Sequence, residues 1–152
     1  MHVLEREQIL RCTLTEAWRF LSSPQNLKVI TPPYMGFEIR SEYEESMYAG
    51  MIISYRVSPF LKLPITWVTE ITHVQAPYYF VDEQRIGPYI LWHHQHFLEE
   101  TEEGIRMRDK VHYRLPLGII GKWIEKWIVR RRLESIFEFR KQKLDEIFNT
   151  LL

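Results

Sequence analysis

Apolar and polar residues alternate with a period near two through the middle of the chain and with a helical period at its end, and this change of period predicts most of the fold. Strands are expected at 36–42, 50–58, 64–75, 78–85, 89–99 and 104–114, with breaks at Tyr48-Ala49-Gly50, Ala76-Pro77, Gly87-Pro88 and Glu102-Glu103-Gly104. Breaks this short make hairpins, so the sheet should be an antiparallel meander. Pro59 and Pro64 bracket the apolar stretch Phe60 to Leu63, which reads as a rim or bend, because proline supplies no ladder donor. After Leu115-Pro116-Leu117-Gly118, residues Ile120, Trp123, Ile124, Trp127, Ile128, Ile136, Phe137, Leu144, Ile147 and Phe148 fall at helical spacing. A helix from about 119 to 150 would be roughly 45 Å long at 1.5 Å per residue, and must lie across the sheet.

The amino-terminal part supplies the remaining elements. His2 to Cys12 alternates loosely and predicts a strand. Thr13 and Glu16 have capping-box spacing, and Ala17, Trp18, Phe20 and Leu21 give the short helix behind them its apolar bulk. Ser23-Pro24 starts a second short helix running to about Ile30, and Thr31-Pro32-Pro33 stops it. The order predicts a single α+β domain over 1–152, about seven strands with the final helix packed on one sheet face.

At 152 residues one real core is expected, and five Trp, eight Tyr and eight Phe favour a packed interior or a lined cavity. Lys plus Arg equals Asp plus Glu at 20 each, which gives no reason to expect nucleic acid as a partner. Cys12 is the single cysteine, so neither an internal disulfide nor a multi-thiolate zinc site is available, and it reads as a small core residue in a reducing compartment. Charges occupy the amino terminus where a secretory signal would be apolar, and no apolar run approaches the ~18 residues of a membrane span. A cytoplasmic location is the expectation. The chain has no glycine-rich phosphate loop, no HExxH and no GxSxG.

Chemistry concentrates on two neighbouring strands. Trp92, His94 and His96 share one strand face, with Leu91, His93, Gln95 and Phe97 on the other. In the next strand Arg106, Arg108, Lys110, His112 and Arg114 form a solvent face, which turns Ile105, Met107, Asp109, Val111 and Tyr113 inward. Asp109 then sits among apolar neighbours and needs a partner, a histidine or tyrosine from an adjacent strand. Four roles are open. Asp109, His94 and Gln84 form a buried hydrogen-bond network that fixes strand register, or they anchor the polar end of a ligand in an otherwise apolar pocket. His94 or His96 with Asp109 forms an acid–base pair, or two His and a carboxylate hold a metal, although their spacing is not diagnostic and neither metal nor cofactor is expected. Asp82 and Gln84 share a parity with Phe80 and are further cavity candidates, while Glu83 reads as structural. Trp67, Met107 and Tyr113 complete the candidate lining, and Trp123 and Trp127, at i, i+4, would roof it. Lys122, Lys126, Arg130, Arg131 and Arg132 make a basic patch: a solvated helix face, or a transient contact with anionic lipid.

The element order resembles that of the START-like superfamily, which includes pollen allergens, polyketide aromatase/cyclases and coenzyme Q-binding proteins. Ile30-Thr31-Pro32-Pro33 followed by Phe37, Asp82-Glu83-Gln84 with Gly87-Pro88-Tyr89, Trp92-His93-His94-Gln95-His96-Phe97, and Asp109-Lys110-Val111-His112-Tyr113 leading into Leu115-Pro116 are similar to signatures of a bacterial SRPBCC ligand-binding subfamily. The resemblance implies the helix-grip fold, a sheet curled round the last helix with a cavity beneath it. It also implies a ligand that is small and largely apolar (lipid, quinone, polyketide or sterol-like); a carrier or sensor of such a ligand needs a cavity above about 300 Å³, and repeated failure to find one would count against it. An aromatase/cyclase- or hydrolase-type enzyme and an interaction module with a filled cavity are the alternatives. Function does not follow from this fold.

Overall fold

The computed structural model describes residues 1–116 and 125–150. Strand β1 (His2–Leu10) leads into helices α1 (Leu14–Leu21) and α2 (Pro24–Val29), a 3-10 turn (Pro33–Met35) and β2 (Glu38–Ile39). Strands β3 (Met51–Val57), β4 (Ile65–Gln75), β5 (Tyr79–Ile86), β6 (Leu91–Thr101) and β7 (Gly104–Arg114) follow. A π-type turn, Glu125–Val129, then runs directly into the final helix α3 (Arg130–Phe148). All pairings are antiparallel in one seven-stranded sheet of order β1-β7-β6-β5-β4-β3-β2. The hairpin meander expected from the short breaks is therefore present, and β1 returns to close the far edge against β7.

Local chemistry places the boundaries. Thr13 and Glu16 form the reciprocal capping box that starts α1, and Pro24 opens α2 in its first turn, where its missing N–H costs nothing. The strand expected at 36–42 is only Glu38–Ile39: β2 is an edge strand that follows a left-handed Gly36, and beyond it Ser41 Oγ accepts from Ser54 N–H. The register of β4 against β5 shifts at Val68/Thr69 and at Ile71/His73, and such bulges bend and twist a sheet. The curved sheet wraps α3, which turns Leu133, Phe137, Arg140 and Leu144 inward in line with Val129, the last residue of the π-type turn. Counted from Val129, those positions form one helical stripe, and its fourth member is Arg140.

Asn149 ties the far end of α3 to β1, its Nδ2–H donating to Ile9 O at 2.8 Å and its Oδ1 accepting from Arg11 N–H at 2.8 Å. Gln8 Nε2–H adds bonds to Lys141 O and Asp145 Oδ1. The core divides into three clusters, one under the start of α3 (Leu4, Tyr89, Val111, Tyr113, Leu133, Phe137), one under its end with α1 (Leu10, Ala17, Ile105, Met107, Leu144) and one on β3 (Met51, Ile53, Tyr55, Val57). No helix among the described residues is long and apolar enough to cross a membrane.

Candidate functional site

A cavity of about 200 Å³ lies between α3 and the concave face of β3–β6, with α1, α2 and the 3-10 turn closing one side. It is smaller than the ~300 Å³ expected of a small-molecule site. The reason is the aromatic load, because Phe37, Tyr55, Trp67, Phe80, Trp92 and Phe137 all project into the space. Most of the lining is apolar. Ser22, Ser23, Thr31 and Thr69 add hydroxyls to it, and β5 and β6 bring Asp82, His94 and His96 against Arg140 of α3.

Register creates this wall. Asp82 pairs with His94 across β5–β6, Phe80 with His96, and His96 in turn with Asp109 across β6–β7. Side chains of one parity on three adjacent strands therefore converge. Asp109 is 1% exposed and accepts from His94 Nε2–H at 3.0 Å, with His96 Nδ1 at 2.9 Å and an Arg140 guanidinium nitrogen at 3.6 Å from the same oxygen. Asp82 Oδ2 accepts from His96 Nε2–H at 2.6 Å and lies 3.3 Å from His94 Nδ1. The two imidazoles stack with centroids 3.8 Å apart, and His96 stacks on Phe80 at 4.0 Å. Arg140 is buried, and among the described residues neither its Nε–H nor His96 Nδ1 has a hydrogen-bond partner.

The charges in the cluster balance. Burial pushes Asp109 up, but the Arg140 guanidinium and the two imidazoles outweigh it and hold the carboxyl well below its usual range. Burial likewise opposes ionisation of Asp82, and His94 and His96 overcome it. Desolvation lowers His94, and the charge on His96 adds to it, which disfavours its protonated form. His96 is equally buried, yet the Asp109 carboxylate beside it and its hydrogen bond to Asp82 outweigh desolvation and raise its pKa, favouring its protonated form. The Arg140 guanidinium and the two imidazoles thus face two carboxylates, which is how this much charge sits inside the fold.

The structure sorts the candidate residues. Trp67, Asp82, Trp92, His94 and His96 line the cavity, on the parity expected for β6. Asp109 has its expected histidine partners, but it is sealed behind them and does not reach the cavity, so it cannot be the carboxylate of an acid–base pair open to a ligand. Met107 and Tyr113 are buried in the core clusters and do not line the cavity, because α3 and the histidines cover that part of β7. Gln84 is no part of the network: its amide donates to Tyr89 O at 2.6 Å and accepts from Tyr89 N–H at 3.1 Å, bracing the turn into β6. Trp127 does not roof the cavity; it is 53% exposed, with Arg131 over its ring at 5.6 Å. Trp127 stands two residues before the inward Val129, about half a helical turn away, and so faces the opposite side.

Trp123 and Lys122 lie outside the described residues, as does the side chain of Lys126. Arg130 pairs with Glu134, and Arg132 lies over the Tyr34 ring at 4.8 Å. Sequence reasoning missed Arg140, Tyr55, Thr69 and Tyr89. For Arg140 a signal existed: the helical period that turns Phe137 and Leu144 inward also turns residue 140 inward.

No family model and no curated protein matches the chain. Solved structures do match its fold. Protein CV1439 from Chromobacterium violaceum superimposes with a TM-score of 0.73 at 10% identity, covering 99% of this chain and 100% of that one. A protein from Arthrobacter aurescens gives 0.69 at 12% identity, covering 95% and 86%, and protein Ms6760 from Mycobacterium smegmatis gives 0.67 at 16%, covering 95% and 92%. At these identities the likeness establishes the architecture: this chain has the same α+β fold as these bacterial proteins, a curved antiparallel sheet round a C-terminal helix.

Proposed function

We propose that the protein is a carrier or sensor that binds a compact, largely apolar molecule with one polar group, as a START-like protein of the SRPBCC kind. One observation carries the reading: the space between sheet and helix is lined mainly by apolar and aromatic side chains with a few hydroxyls, and its acidic, basic and imidazole groups, Asp82, His94, His96 and Arg140, are brought together by β5, β6 and α3. Apolar lining supplies affinity through the area removed from water, and a few convergent polar groups orient the ligand. A volume of about 200 Å³ cuts down the candidate ligands. Sterols and long-chain lipids exceed it, whereas a monocyclic aromatic or a short aliphatic chain with a polar head is of the right size.

Trp67 and Trp92 line the cavity with their rings 5.3 Å apart, so indole fluorescence reports on its occupancy. Native mass spectrometry of the purified protein should show a bound small mass, and a panel of phenols, short-chain alcohols and carboxylic acids should contain a compound that changes Trp emission saturably. Ile71→Phe, which adds bulk to the lining, should abolish that response while the protein remains folded. An apo mass together with unchanged emission across the panel would overturn the proposal.

A further inference from the structure

We propose that Asp82, His94 and His96 form a binding site for a divalent first-row transition metal, with its open coordination position facing the cavity. One ligand atom from each of the three residues falls within a common 4.8 Å. In a tetrahedral site with bonds of about 2.0–2.1 Å, ligand atoms stand about 3.3 Å apart. Asp82 Oδ2 and His94 Nδ1 are already 3.3 Å apart. Asp82 and His96 Nε2 are closer, at 2.6 Å, because a proton now joins them, and a metal would take that proton's place.

The surroundings also suit a metal. His94 is clamped between two carboxylates, so either neutral tautomer leaves one ring lone pair facing a carboxylate oxygen. A cation at Nδ1 removes that conflict, with Nε2–H donating to Asp109. His96 turns Nε2 toward the site, and its Nδ1 lies 2.9 Å from Asp109 without hydrogen-bond geometry. The sealed carboxylate would thus orient His94 from behind through a hydrogen bond, the arrangement by which outer-shell groups fix the tautomer and basicity of metal-bound histidine, and sit against His96 as a counter-charge. Two imidazoles and one carboxylate suit zinc, iron or cobalt, and exclude magnesium and calcium, which take oxygen ligands. A divalent ion and Arg140 against Asp82 and Asp109 sum to one positive charge, so the open position should take an anion, hydroxide or the carboxylate of a ligand. Arg140, whose side chain lines the same cavity, is placed to meet it.

The test needs no organic ligand, so its failure leaves the cavity reading standing. Chelator-treated full-length protein is titrated with Co²⁺, followed by its visible absorption, and with Zn²⁺ by calorimetry. One equivalent per chain is expected, in a low-coordinate Co²⁺ spectrum that Zn²⁺ bleaches. Asp109→Asn should keep the stoichiometry and weaken affinity about 10–100-fold. Absence of binding by the wild type would overturn the proposal, as would a folded Asp82→Asn/His94→Gln variant that binds as tightly as wild type. In the wild type itself, Zn²⁺ should shift the imidazole proton resonances of His94 and His96; shifts confined to His73, His93 or His112 would likewise overturn it.

Discussion

Asp109→Asn is the most informative single change for the stability of this protein. The amide keeps the shape of the carboxylate but removes the negative charge that three groups face, at 2.9, 3.0 and 3.6 Å, in a position 1% exposed. Arg140 cannot shed its proton, so it would remain buried with its nearest counter-charge gone. Breaking a buried ion pair from one side costs about 3–5 kcal/mol, a large part of the ~5–15 kcal/mol that holds a typical domain together. For a chain of this length that is a fall of about 6–20 °C in Tm. Arg140→Met should cost a similar amount, since it leaves Asp109 under-compensated. The double variant removes one charge of each sign, and in a double-mutant cycle it should be more stable than the sum of the single losses by about 2 kcal/mol or more. Urea unfolding monitored by Trp fluorescence and far-UV circular dichroism measures all three. Single losses below about 1 kcal/mol, or strict additivity, would refute the charge balance described above.

Two further expectations follow from the structure. Burial, with the charge of Glu16 adding to it, pushes the Cys12 thiol up to about 11 from 9.0, so the folded protein holds about 100-fold less thiolate near pH 8 than a free thiol does. Its reaction with a disulfide reagent should be correspondingly slow, should rise steeply toward pH 11 and should be released by denaturant; rapid labelling of the native protein near neutrality would contradict the structure. Gln84→Ala should cost about 1–3 kcal/mol in urea unfolding, because it removes both side-chain bonds to the backbone of the buried Tyr89, and a neutral result would show that the turn does not depend on them.

The sequence alone determined what depends on neighbours along the chain. Periodicity of two placed six of the seven strands to within about two residues and grouped Trp92, His94 and His96 on one face, because alternation is a property of the strand backbone itself; that this face and Asp109 point inward was favoured only by the charged parity of the next strand, Arg106 to Arg114. Thr13 and Glu16 announced the start of α1 for the same local reason. The cost of burying a lone carboxylate was enough to require a partner for Asp109. Which partners it has, and on which side of them the cavity opens, was decided by the tertiary structure. Asp82 joined the histidines through the register of β5 on β6, and Arg140 through the rotation of α3 about its own axis. The choice of inward stripe on the final helix, which leaves Trp127 in solvent, and the sheet curvature that leaves about 200 Å³, belong to the same class. These features are set by how distant elements cross and pack, where shifting the phase of a helix by one residue exchanges an inward side chain for an outward one.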